Sequence, residues 1–152
     1  MSQYIDSYYL VENRTLEVIN TFFSKYLPSG KEELAMDYPF PQYSDTPQTI
    51  YHSVKELLLY LGNNPDSEYI IYFKNKDELS EIKQIVLQYT DDGKLIFGVS
   101  SIGNDPSSSK SIQLFREIKN FLNSHNACAT IEEPPPTNSL DFVDFCDERY
   151  RI

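Results

Sequence analysis

Asp91-Asp92-Gly93 stands between two runs rich in β-branched and apolar residues, Ile82–Thr90 and Lys94–Ser100. Asp-Gly tolerates the positive φ angles of a tight two-strand turn, so this segment predicts an antiparallel hairpin. In the return strand Leu95, Phe97 and Val99 alternate with Ile96 and Gly98, which predicts apolar cover on both faces. A third strand, Glu68–Lys74, precedes the hairpin, and Ala127–Glu132 reads as a last strand.

Helical spacing surrounds these strands. Leu16, Ile19, Phe23 and Tyr26 form an apolar stripe over Arg14–Leu27, with Asn13 as predicted N-cap and Pro28 and Gly30 as stops. Thr46 and Pro47 predict the start of a second helix carrying Ile50, Val54, Leu57, Leu58 and Leu61, with Gly62 at its end. Ile112, Phe115, Ile118, Phe121 and Leu122 predict a third helix over Lys110–Ser124. The order α-α-β-β-β-α-β predicts an α+β fold, with a mostly antiparallel sheet of about four strands and helices on at least one face. The first eleven residues read as leading into the first helix or packing beside it, and Lys31–Met36 as a short helix within a proline-rich segment. A length of 152 residues fits one domain, 1–152, whose last part, 133–152, is a proline-led tail of acids and aromatics with the chance to dock on the rest.

Several function classes are disfavoured. No run approaches the roughly 18 apolar residues of a membrane span, since Val54–Leu61 is broken by Lys55 and Glu56. Met1–Asp6 lacks the basic-then-apolar pattern of a secretory signal, so the expected location is cytoplasmic. The net charge of −10 repels phosphate backbones and favours a basic protein partner over nucleic acid. The charge is uneven: residues 1–68 hold four basic and ten acidic groups, 69–131 hold seven of each, and 132–152 hold two and six.

Catalytic templates are missing. There is no phosphate-cradling glycine loop and no nucleophile elbow. His52 reads as a solvated residue on the second helix and His125 as the close of the third. Cys128 and Cys146 fit neither a zinc spacing nor a disulfide scaffold, and Cys128 reads as a buried structural thiol. Asp141, Asp144, Asp147 and Glu148 fit no calcium-loop pattern. The expectation is no cofactor, no metal and no catalytic residue.

The aromatic residues are more informative. Tyr38, Phe40 and Tyr43 lie among prolines beside Asp37 and Asp45, and Phe142, Phe145 and Tyr150 lie among the acids Asp141 and Asp144. Tyrosine beside acid suits an interface with a basic surface. The partner-binding candidates are therefore Asp37, Tyr38, Phe40, Tyr43, Asp45, Asp141, Phe142, Asp144 and Phe145. The competing expectation is that these rings anchor loop and tail to the domain.

A small, acidic, aromatic-rich α+β chain without a catalytic signature resembles the immunity proteins of bacterial toxin systems. The resemblance is carried by the charge of −10, the segment Asp37–Asp45, the acidic tail and the hairpin Tyr89–Gly98. It implies a non-enzymatic inhibitor that binds a basic partner. Two alternatives stand beside it. One is a structural or self-associating domain, in its simplest form a homodimer paired through a free sheet edge. The other is an enzyme or small-ligand domain whose site is scattered in sequence, around His52, Glu132 or Glu133.

Overall fold

Residues 3–149 are described in a computed structural model. Tyr150 and the two residues after it lie outside the described residues.

The chain runs β1 (Tyr4–Val11), α1 (Leu16–Tyr26), β2 (Lys31–Glu33), β3 (Tyr38–Phe40), β4 (Thr49–Tyr51), α2 (Val54–Asn63), β5 (Tyr69–Asn75), β6 (Ile82–Tyr89), β7 (Leu95–Ile102), α3 (Ser109–Leu122), β8 (Asn126–Ile131) and α4 (Ser139–Asp147). The fold is α+β. Six strands form one sheet in the order β2-β5-β6-β7-β1-β8, and every neighbouring pair is antiparallel. β3 and β4 form a separate two-stranded ribbon.

Period-two alternation divides the sheet into two faces. Ile5, Tyr9, Val11, Ile71, Phe73, Ile85, Leu87, Phe97 and Val99 point into the larger core with Ile19, Phe22 and Phe23 of α1, Leu57, Leu58 and Leu61 of α2, and Phe115 and Ile118 of α3. On the other face Tyr8, Leu10, Ile96 and Cys128 pack with Phe142, Phe145 and Cys146 of α4. Ile96 and Phe97 thus serve opposite cores, as their alternation predicts.

The structure corrects the sequence reading in several places. Residues 4–11 are not a lead into a helix but an interior strand, paired with β7 on one side and β8 on the other. Both faces of β1 are covered over much of its length, which hides its alternation. Lys31–Glu33 is an edge strand and not a short helix, because it pairs with Phe73–Asn75. Thr46 and Pro47 do not start α2. Thr49–Tyr51 pairs with Tyr38–Phe40, Ser53 is the N-cap, and Ile50 is exposed. Gly62 lies inside α2, where a Cβ would stand 3.4 Å from the Arg14 carbonyl oxygen. Thr15, not Asn13, is the N-cap of α1, while Asn13 Oδ1 accepts from Thr15 N–H at 2.9 Å.

The tail supplies a fourth helix. Asn138 caps it, its Oδ1 accepting from Asp141 N–H at 2.9 Å. Pro136 is fixed on the way, its carbonyl accepting from Gln88 Nε2 at 2.6 Å. The hairpin turn also reaches this helix: Asp92 accepts from the Ser139 amide and hydroxyl. Arg149 closes the helix end by donating to both carboxylate oxygens of Glu133, at 2.5 and 2.9 Å.

Candidate functional site: a grooved sheet face

α4 covers only part of its face. The rest presents Ile70, Tyr72 and Lys74 of β5, Gln84 and Val86 of β6, Ser100 and Ile102 of β7, and Tyr4 and Asp6 of β1, all on the side opposite the three-helix core. The boundary falls at Gly98. A Cβ there would stand 3.0 Å from the Tyr8 ring and 3.2 Å from Val86 Cβ, so only glycine lets Tyr8 lie flat across β7. Tyr8 meets Phe145 edge-on at 6.5 Å, which ties this boundary to α4.

Three grooves cross the uncovered area. The first, about 410 Å³, runs between Phe40–Tyr43 and Ile70, with Asp66, Glu68 and Thr137 on its rim. The second, about 340 Å³, lies on the other side of Gln42, between Asp37, Leu34 and Tyr72. Leu34 also borders the third, about 670 Å³, which holds Asp6, Ser100, Glu132, Lys74 and Lys83. The three share walls and so form one surface.

The segment between β2 and β4 is bound to β5 by side chains. Gln42 Nε2 donates to the Ile70 carbonyl at 2.9 Å, and its Oε1 accepts from Ile70 N–H at 2.8 Å. The Tyr69 hydroxyl donates to the Pro39 carbonyl at 2.8 Å. The Tyr38 hydroxyl donates to the Glu33 carboxylate at 2.7 Å. These bonds hold Tyr43 above the sheet with 80% of its surface exposed and a left-handed φ of 66°. That backbone region costs a side-chain-bearing residue about 1 kcal/mol, so the local bonds outweigh an intrinsic preference. Tyr72 beneath it is 44% exposed. Burial, then Tyr43, raises the Tyr72 phenol; burial, then Tyr43 and Asp37, pushes Tyr69 up to about 12. The raised Tyr69 and Tyr72 phenols are neutral donors at physiological pH.

In the third groove the Ser100 hydroxyl donates to Asp6 at 2.5 Å. Burial raises the Asp6 pKa against the lowering effect of that bond, and the nearby Glu132 charge adds to the rise. Glu132 itself has a left-handed φ of 54°. This arrangement offers a hydrogen-bonded carboxylate to a ligand. Both histidines are exposed and lie elsewhere, His52 in the bend before α2 and His125 beyond the α3 C-cap Asn123. Among the described residues no group of three or more His, Cys, Asp or Glu is placed to hold a metal. No helix among them is long and apolar enough to cross a membrane.

The sequence candidates divide by burial. Asp37 and Tyr43 border the second groove, and Phe40 and Tyr43 the first. Asp45 is exposed but borders none of the three. Tyr38 is buried and its hydroxyl is taken by Glu33. Phe142 and Phe145 are buried under α4, so these rings offer a partner almost no surface. Asp141 and Asp144 are exposed on α4, away from the groove walls. Of the tail's described residues, Thr137 reaches the grooves. Sequence reasoning missed Gln42, Ile70, Tyr72, Asp6 and Ser100. The alternation Ile70-Tyr72-Lys74 was the available signal, since it sets the apolar–polar outer face of β5 against the buried Tyr69, Ile71 and Phe73.

The chain matches no protein-family model, no curated protein and no solved structure.

Proposed function

We propose that this chain is a non-enzymatic protein-binding module that takes a basic partner protein on the grooved sheet face, and that it works as an immunity-type inhibitor of that partner. One observation carries the reading. Exposed Tyr43, Tyr72 and Leu34 form a continuous rim and floor beside Asp37, Asp66 and Glu68. Aromatic rings surrounded by acids supply contact area at the centre and charge at the edge, which is how a basic surface is captured and held. The net charge of −10 favours fast encounter with a cationic partner.

The test is capture from the native host at low salt with three immobilised proteins: wild type, Tyr43→Ala/Tyr72→Ala and Asp37→Lys/Glu68→Lys. The expected result is one stoichiometric basic protein on the wild type, released by salt and missing from both variants. Equal retention by all three removes this surface from the reading. Co-expression with the captured protein then tests inhibition: its toxicity or activity falls with the wild type and returns with the variants. A captured partner whose activity is unaffected ends the inhibitor part.

A further inference from the structure

The edge of β5 is finished in two different ways. β2 pairs with Phe73–Asn75, and Leu34 N–H reaches the Tyr72 carbonyl at 3.4 Å. Beyond that point the strand is met by a side chain. The Gln42 amide holds both the N–H and the C=O of Ile70, at 2.8 and 2.9 Å. A primary amide carries an acceptor and donors side by side on a planar unit, so it reproduces the N–H and C=O that one residue of an antiparallel neighbouring strand would present. Gln42 is thus a one-residue substitute for a strand that is not there.

We propose that the β5 edge at Ile70 is a strand-addition site, closed by Gln42 and opened when an extended lysine- or arginine-bearing segment of the basic partner replaces it. The proposal rests on the protein-binding reading above and names how the partner engages. Three observations support it. First, exchange is nearly balanced, because the incoming backbone restores the two hydrogen bonds that Gln42 gives up. Second, there is room on both sides of the plug. The grooves of about 410 and 340 Å³ both border Gln42, Tyr43, Tyr69 and Ile70. An added strand rises about 3.3 Å per residue and keeps every second side chain on the outer face, so outer-face side chains before and after the displaced amide meet these grooves. Third, the rims are acidic, with Asp66 and Glu68 on one groove and Asp37 on the other. They select cationic side chains and disfavour a second copy of this chain, which carries the same acids and a net charge of −10.

The Ile70 N–H and C=O are freed by a rotamer change at Gln42. Its loop stays fastened by the Tyr69–Pro39 bond and by the β3–β4 pairing.

The probe is a capped, fluorescein-labelled octapeptide of alternating lysine and valine, together with an analogue N-methylated at alternate residues. N-methylation keeps charge and side chains but removes the backbone donors. Both are titrated at low salt into wild type, Gln42→Ala and Gln42→Glu, each checked for folding by thermal melting. The carboxylate of Gln42→Glu cannot donate to the Ile70 carbonyl, so this variant opens the edge while keeping a polar side chain. Affinity for the parent peptide is expected to rise about tenfold in both variants, as one competing amide is removed. The gain disappears with the N-methylated analogue, and the Ile70 amide resonance shifts on binding the parent peptide alone. If the three proteins bind the parent equally, or the analogue binds as well as the parent, strand addition is overturned while the acidic surface stands. If no protein binds either peptide, the reading of a surface for basic partners falls with it. Should Gln42→Ala fail to fold, the two peptides on wild type and Gln42→Glu still decide.

Discussion

The guanidinium of Arg14 stands 4.8 Å from the centre of the Tyr89 ring. It is 5% exposed, and it meets backbone carbonyls where other buried arginines meet carboxylates: Leu61 at 3.1 Å, Ser67 at 2.6 Å, Thr90 at 2.8 Å and Lys94 at 3.2 Å. One side chain therefore joins the end of α2, the turn before β5 and the β6–β7 hairpin. Burial lowers its pKa, and Tyr89 and Asp92 oppose that shift.

Removing this fork takes the donors from the Ser67 and Thr90 carbonyls, while those of Leu61 and Lys94 keep the backbone amides of Asn64 and Thr90. Arg14→Met is expected to cost about 3 kcal/mol, because each orphaned buried acceptor costs roughly 1–3 kcal/mol. Arg14→Lys is expected to recover less than half, since an ammonium cannot span the same carbonyls. Urea unfolding midpoints at constant slope measure both. A loss below about 1 kcal/mol for Arg14→Met would show that water replaces the guanidinium freely.

Gly98 sets where α4 docks. Gly98→Val forces the Tyr8 ring off β7, and Tyr8 then loses its edge contact with Phe145. The expected cost is about 1–3 kcal/mol, with faster amide exchange in 139–147 than in α3. Uniform protection across both helices would separate Gly98 from α4.

The two thiols face each other between sheet and helix. Cys146 and burial together push the Cys128 thiol up, so almost no Cys128 thiolate exists in the folded protein. Alkylation of the native protein is expected to be slow and to accelerate in proportion to unfolding as urea is added. Fast labelling in the absence of urea would mean that α4 opens on its own.

Acid should weaken the anchors of α4. Burial works against the Asp92 carboxylate, but hydrogen bonds from Ser139 and Thr90 outweigh it and hold its pKa below the usual range. Arg149 does the same for Glu133. A depressed carboxylate stabilises the fold above its unfolded pKa, roughly 4, and that contribution is lost as pH falls through the folded value. Asp6 is raised and has the opposite sign. Melting temperature is therefore expected to fall below about pH 4, and more gently in Asp92→Asn, which starts from a lower value at pH 7. Parallel curves for the two proteins would assign the acid loss to other groups.

The parts legible in sequence were those with local punctuation and one buried face. The Asp-Gly turn located β6 and β7, and three-four spacing located α1 and α3. β1 was obscured because Tyr8 and Leu10 serve one core while Tyr9 and Val11 serve the other, so apolar residues run together. β2, β3 and β4 have three residues each, too few for a period to register. The grooved face was half legible. Asp37 and Tyr43 stood out by composition, but Gln42 acquires its role only from β5, 28 residues away. Phe142 and Phe145 looked like Phe40 and Tyr43 in sequence. Only helical spacing in the tail distinguishes rings turned inward from rings turned outward.

The position of β1 has a consequence for synthesis. It is made before the other strands of its sheet and lies inside that sheet, yet Ser7 bonds to Val99 across 92 residues and Thr130 to Asp6 across 124. Its apolar side chains must wait for most of the chain before they find neighbours, and late, distant pairing slows folding. Until β7 and β8 have been made, both faces of β1 lack the neighbours that cover them in the finished sheet.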